Sequence, residues 1–521
     1  MPLTLEQKIG QMMMVGFHGL EPPDYILEWL TTGRIGGVYL FARNVAHPEQ
    51  VASLAQACHE AASTPILIGI DQEGGIVARL RQGFTESPGA MALGTAGSAD
   101  LADRVSHMLA TEMIALGINW NFAPVVDVTH DINNPSVGTR SPGSDKTLVA
   151  KIAQAQVAGF QRGGVAASAK HFPGLGNTPI DTHLALAEID GPVDYLYEND
   201  LVPFRAVVNA GVATVMVSHV KFNALDANHP ATLSPVIIRR LLREEIGFNR
   251  VACTDCMEMR AITDHYGSGE AAVLAVLADI DLIMFSHTPE YQAMAYDSVL
   301  QAVRTGRLAE DRIDTSVERI QRLKQQFLWN GPPALDRIRH PEHVRLANEA
   351  ARAGVALLQA DDSVFPLGAT SDKRVVVVEF ASHLDSGVMD EGGQTGFVTL
   401  LKERAPHLLW CVSLRATDIH EKALSAARRL VNEAEVLVLA TRNAHLIPEQ
   451  QVCARELMAG ASPVILLCLR NPYDVNVLPG AGTIICTCGD STPSLQAAVD
   501  ALLGEFTPSG TLPVPTQAGA S

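Results

Sequence analysis

The chain has 521 residues, 47% of them apolar and 18% charged, a composition that excludes disordered, collagenous and coiled-coil proteins. At roughly 150 residues per domain the length predicts two to four domains, and two if one of them is a barrel. The 39 Lys plus Arg against 57 Asp plus Glu give a formal charge of −18, a field that repels polyphosphate and argues against nucleic acid or an anionic membrane surface as partner.

The opening MPLTLEQKIGQMMMVGF lacks the basic start and small-residue cleavage site of a signal peptide, and no apolar run approaches the roughly 18 residues of a membrane-spanning helix. A cytoplasmic location is therefore expected. Eight cysteines (Cys58, Cys253, Cys256, Cys411, Cys453, Cys468, Cys486 and Cys488), several inside apolar runs such as PVILLCL, read as reduced core thiols. Cys253 and Cys256 form a CxxC, but no second pair or suitably spaced histidines stand near, so packing is the reading and a structural zinc is not.

From residue 1 to about 330 short apolar runs alternate with amphipathic stretches, the pattern of βα units around a parallel sheet. Strands are predicted at GGVYLF (36–41), ILIGID (66–71), INWNFAPV (118–125), VAASAKHF (165–172), TVMVSH (214–219), RVACTD (250–255) and DLIMFS (281–286). An early strand near Met12 to Phe17 makes eight, which suits a (β/α)8 barrel of the TIM type, with an irregular barrel as the second choice. GPPALDRIRHP (331–341) reads as a linker. From 342 to 521 five buried-type strands, RVVVVEF (374–380), LLWCVSL (408–414), EVLVLAT (435–441), PVILLCL (463–469) and GTIICTC (482–488), alternate with helical stretches. They predict a smaller, doubly wound α/β sandwich domain. It has no Gly-rich phosphate motif at a strand-to-helix turn.

A barrel gathers its active site at the C-terminal ends of its strands. Polar residues end nearly every run here: Asp71, Asp127, Lys170 and His171, His219, Asp255, and Ser286 with His287. Singly, each is equally well a helix cap or a satisfied loop residue. The densest segment is AKHFPGLGNTPIDTHLAL (169–186), a glycine- and proline-marked loop after a strand. In it Asp181 and His183 stand two apart, so the carboxylate can orient the imidazole and leave its other nitrogen free for proton transfer.

Taken together, KHFPGLGNTPIDTH, IGIDQEGGIVARL (68–80), NFAPVVDV (121–128), NPSVGTRSPGSD (134–145) and VACTDCMEM (251–259) resemble the successive signatures of glycoside hydrolase family 3, in its β-N-acetylglucosaminidase branch. The resemblance runs in order from residue 5 to about 330, and the linker plus α/β domain is similar to the longer members. It implies Asp255 as nucleophile and the dyad of Asp181 and His183 as acid-base. It also implies that Asp71, Arg140, Lys170 and His171 grip the sugar hydroxyls, with Met259 beside the acetamido group or simply in the core. The sequence departs from the family pattern at Leu175 and Asn177, where the loop usually has His and Asp, at Ile76, usually Arg, and at Pro142, usually Phe.

The resemblance thus implies a retaining exo-β-N-acetylglucosaminidase acting on muropeptide or chitin-type fragments. It implies no metal and no organic cofactor, and a small carbohydrate as the only partner; it leaves the oligomeric state open. Rival readings are a phosphorylase on the same scaffold, a β-glucosidase of the same family, and a non-catalytic sugar-binding protein.

Overall fold

In a computed structural model of the chain, the structure describes residues 3–178, 185–368, 373–381, 396–406, 408, 410–415, 417, 419–461 and 463–517. Eight short strands form its first sheet: β1 (Met13–Gly16), β2 (Gly37–Leu40), β3 (Leu67–Ile70), β4 (Trp120–Asn121), β5 (Ala166–Phe172), β6 (Thr214–Val217), β7 (Val251–Cys256) and β8 (Leu282–Phe285). Each pairs in parallel with its neighbours in sequence, and β1 pairs with β8 to close the barrel. Parallel neighbours need a crossover. Helices such as Pro48–Ala61, Ala99–Ala115, Lys146–Arg162 and Ser268–Leu277 supply it, burying one apolar face against the strands.

The predicted strands thus lie where expected, with one shortened. INWNFAPV yields only Trp120–Asn121, because Pro124 has no N–H for the ladder; a single bridge from Val125 to Lys170 resumes the contact with β5. Side chains fill the barrel. Trp120 meets Phe122 edge-on at 4.8 Å, and Phe122 meets Tyr39 at 4.7 Å. Gly69 on β3 leaves the room for this, since a Cβ there would stand 2.6 Å from Phe122 Cζ and 2.7 Å from Met14 Cε.

The second sheet holds β9 (Ala356–Gln359), β10 (Val375–Ala381), β11 (Trp410–Arg415), β12 (Val436–Thr441), β13 (Val464–Cys468) and β14 (Thr483–Cys486), in the order β9-β14-β13-β12-β10-β11. Its parallel strands alternate between two apolar layers: Val376, Val378, Leu437, Leu439 and Leu466 face one way, Val375, Val377, Val436, Val438 and Ile465 the other. Helices Glu421–Glu433 and Pro448–Ala459 cover the first face, Phe397–Arg404 and Thr492–Leu503 the second, giving the expected doubly wound sandwich. The sequence reading missed β9. It pairs antiparallel at the edge and is half-exposed, so it carries no buried apolar run to read.

At the floor of the barrel Asp281 is fully buried just before β8. It accepts bonds from Arg243 Nη2 at 2.6 Å, Arg312 Nη2 at 3.1 Å, Arg319 Nη1 at 3.0 Å, Ser316 Oγ at 2.9 Å and the Ala252 amide at 3.0 Å. Burial works to raise its carboxyl, but Arg243, Arg319 and Arg312 together hold it below the ordinary 3.8. A depressed folded value means that the stabilisation is complete above about pH 4 and is lost as pH falls through the folded value. Asp281→Asn is expected to cost about 3–5 kcal/mol by leaving buried guanidinium groups uncompensated, read as a lower midpoint of thermal unfolding at pH 7, with the gap to the native chain closing on acidification.

Candidate active site

The segment after β3 folds as a tight hairpin, Gln72–Gly74 against Val77–Ala78. Gly74 and Gly75 turn it at φ +90° and +59°. Gln72 locks it, accepting through Oε1 from the Arg79 and Leu80 amides and donating to the Leu80 carbonyl. The hairpin therefore brings Asp71, Glu73 and Arg79 to the C-terminal mouth of the barrel.

There, Lys170, near the end of β5, puts its ammonium 2.6 Å from Asp71 Oδ1 and 2.6 Å from Glu73 Oε1. Arg140, in the 3-10 turn Gly138–Arg140, makes a bidentate pair with Glu73 at 2.9 and 2.8 Å and donates to the Ser136 carbonyl at 2.8 Å. Arg79 Nη2 lies 3.4 Å from Asp71 Oδ2, which also accepts from the Tyr39 hydroxyl. Burial pushes the Asp71 and Glu73 carboxyls up, yet Lys170 with Arg79, and Arg140 with Lys170, hold them far down, Glu73 to about 2. Burial works to lower the Lys170 ammonium and Asp71 and Glu73 outweigh it, so its value rises. Burial likewise, then Asp71, pushes the Tyr39 phenol up. These four groups thus keep their ordinary charged or neutral forms at neutral pH.

His171 turns the other way. Its Nδ1 is 2.8 Å from Asp127 Oδ2, and Nε2 lies 3.4 Å from Arg140 Nη2. Because the guanidinium can only donate, the proton sits on Nδ1 and points at Asp127. Asp127 Oδ1 also takes the Leu175 amide at 2.7 Å, so one carboxylate fixes a site histidine and the start of the following loop.

Tyr39, Asp71, Arg79, Arg140, Lys170 and His171 line a cavity of about 300 Å³, with Glu73 and Asp127 bracing them from behind its lining. Asp255, at the end of β7, stands in its wall with Cys256, Glu258 and Met259, and Met216, Phe41, Arg43, Ser286 and His287 complete it. Asp255 Oδ1 accepts from the Cys256 amide at 2.6 Å. Asp71, Arg140, Lys170, His171, Asp255 and Met259 are thereby brought together. Asp181 and His183 lie outside the described residues. Of the other strand-end residues, Ser286 and His287 line the cavity, whereas His219 supports it, donating from Nε2 to the Cys256 carbonyl at 2.9 Å.

Sequence reasoning missed Tyr39, Glu73 and Arg79. The signal for Tyr39 was one hydroxyl-tipped residue inside GGVYLF, and for Glu73 a second carboxylate two places after Asp71. Arg79 reaches Asp71 where Ile76, the departure from the family's arginine, cannot. Leu175 is buried in the barrel core, so an apolar contact replaces the polar residue usual at this point of the loop, while Asn177 is exposed. Cys253 is buried in the barrel core, whereas Cys256 faces the cavity with burial pushing its thiol up to about 12. Among the described residues no three His, Cys, Asp or Glu side chains gather as metal ligands do, and no helix is long and apolar enough to cross a membrane.

A family model described as the glycosyl hydrolase family 3 N-terminal domain matches residues 4–323. The structure of a glycoside hydrolase family 3 β-N-acetylglucosaminidase from Paenibacillus sp. str. FPU-7 superposes with a TM-score of 0.91 at 37% identity, covering 99% of both chains. A β-hexosaminidase A of Pseudoalteromonas piscicida is 30% identical over 499 residues, 86% of this chain and 80% of its own. A β-N-acetylglucosaminidase/β-glucosidase of Cellulomonas fimi is 28% identical over 98% of this chain and 93% of its own. With a barrel of this topology, a carboxylate and cation cluster at its mouth and a family match over more than half its length, the chain belongs to glycosyl hydrolase family 3.

Proposed function

We propose that this chain is a retaining exo-β-N-acetylglucosaminidase that releases terminal β-linked N-acetylglucosamine from muropeptide or chitin-type fragments. The observation that carries the reading is the place of Asp255, a carboxylate ending β7 in a sugar-sized cavity that Asp71, Lys170 and Arg140 also line. The whole-length similarity to a β-N-acetylglucosaminidase supports the choice of sugar. The catalytic unit is residues 1–330, joined by 331–341 to the domain of residues 342–521. Eight unpaired cysteines support a reducing, cytoplasmic setting.

Arg79, Lys170 and Arg140 hold Asp71 and Glu73 in one buried, charge-paired cluster at the cavity that Asp255 also lines. Lys170 spends two of its three ammonium hydrogens on carboxylates and offers the third to a sugar hydroxyl; Asp71, Arg140 and His171 hold the others. Asp255 attacks the anomeric carbon as the bond to the leaving oxygen breaks, and His183, as imidazolium, gives that oxygen its proton. Neutral His183 then takes a proton from water, which displaces Asp255 and leaves the sugar in its original configuration. Asp181 orients the imidazole and stabilises its charged form, and Met259 packs beside the acetamido group.

Asp255→Asn is expected to lower kcat by about three orders of magnitude or more with the fold intact, and a 2-fluoro glycoside should label Asp255 in peptide maps; label on Asp71 or Asp127 refutes the assignment. For His183→Ala, substrates with poor leaving groups should slow by about 10²–10⁴-fold and nitrophenyl ones far less, with azide restoring the second step; equal losses mean a structural histidine. β-N-acetylglucosaminides should exceed β-glucosides in kcat/KM by more than about tenfold, since an acetamido pocket leaves polar partners unpaired without that group. Product analysis in millimolar phosphate should give free N-acetylglucosamine, whereas a dominant sugar 1-phosphate would make the enzyme a phosphorylase.

A further inference from the structure

We propose that His445 of the second domain is a positioning residue that holds the barrel segment bearing Arg140. The proposal rests on reading the cavity above as the active site. Residues 131–143, between β4 and helix Lys146–Arg162, join that cavity to the second domain. Toward the cavity, the Ser136 carbonyl aims the Arg140 guanidinium. Asn134 donates through Nδ2 to the Leu175 carbonyl at 2.8 Å and the Gly176 carbonyl at 3.3 Å, and so ties down the start of the loop that runs on in sequence to Asp181 and His183.

Toward the second domain, the same segment is gripped at two points and the residue after it at a third. His445, just past β12, puts Nε2 3.1 Å from the Ile132 carbonyl oxygen, which can only accept, so Nε2 donates. Asn471, just past β13, lies against Gly138, where a Cβ would come within 2.9 Å of its side chain and where φ is +44°. The Pro513 carbonyl accepts from the Ser144 amide at 3.0 Å, immediately after the segment ends. A loop with contacts on two bodies takes its conformation from both.

His445 is built to hold rather than to move. Its side chain is 2% exposed, and the fully buried Asp474 receives its Nδ1 at 2.8 Å and its amide at 3.1 Å while also taking the Thr441 hydroxyl at 2.7 Å. Asp474 therefore sets the ring plane and Nε2 faces across the domain boundary. Positioning of this kind acts on rate, because a displacement of about 1 Å at groups that orient a substrate costs up to about a hundredfold.

Two substitutions separate a latch from a merely structural histidine. His445→Asn retains a group that reaches Asp474 but not one that reaches Ile132, whereas His445→Gln can place an amide N–H near the position of Nε2. His445→Asn and His445→Ala are expected to lower kcat/KM on an aryl β-N-acetylglucosaminide by about tenfold and to speed amide hydrogen exchange in peptides covering 131–143 and 173–178. His445→Gln should stay within about threefold of the native enzyme. Native kinetics and native exchange in His445→Asn would overturn the proposal, as would equal damage in His445→Asn and His445→Gln. Exchange is measured without substrate, so it decides the latch even if the chain cleaves a different glycoside.

Discussion

The ammonium of Lys170, buried at the mouth of the barrel between Asp71 and Glu73, sets the terms for everything around it. Taking a charge out of water costs several kcal/mol, and the loss is recovered only when opposite charges and hydrogen bonds surround it in good geometry. Two carboxylates for one ammonium would leave a negative excess, which Arg140 and Arg79 more than offset. Each group has a second constraint: Glu73 needs the glycine-turned hairpin, Arg140 needs the Ser136 carbonyl, and Asp71 needs the Tyr39 hydroxyl. Remove one charged member and the balance of the buried cluster is broken, even though Asp71 and Glu73 each keep a second cation.

The barrel supplies the frame for this cluster. Asp71, Lys170 and Asp255 come from β3, β5 and β7 or from the residue that follows, and a closed parallel ring points all these ends the same way. Below them Trp120, Phe122 and Tyr39 stack edge to face, with Gly69 making the space. The aromatic packing also presents the Tyr39 hydroxyl to Asp71. Hydrophobic filling and polar aim are thus one arrangement, and the Gly69 position has to remain without a side chain for both.

The second domain enters the same scheme from outside. It leans its strand-end loops on residues 131–144, and these residues carry the cavity-lining Arg140 on one side and hold the base of the loop after β5 on the other. Leu175 shows how that base is secured without the polar residue usual there. Its backbone is held by Asp127 and Asn134 while its side chain joins the apolar core, so anchoring comes from main-chain bonds and burial.

The sequence by itself determined the two sheets and most of the polar strand ends. Runs such as ILIGID and VVVVEF are apolar almost throughout because their strands are covered on both faces, and a parallel strand of this kind is legible wherever it is central. It did not reveal β9, a half-exposed edge strand with no such run, or the early end of β4, which a proline without an N–H imposes. At the site it singled out Asp71, Lys170, His171 and Asp255 as polar residues ending apolar runs, while Arg140 and Met259 came only from the family signatures. Tyr39, Glu73 and Arg79, and the reach of His445 across to Ile132, were decided by tertiary structure alone. Their partners lie from 8 to 313 positions away in the chain, and pairing at that distance depends on where the closed barrel and the neighbouring sheet bring the backbone, a relation with no periodicity or local spacing to record it.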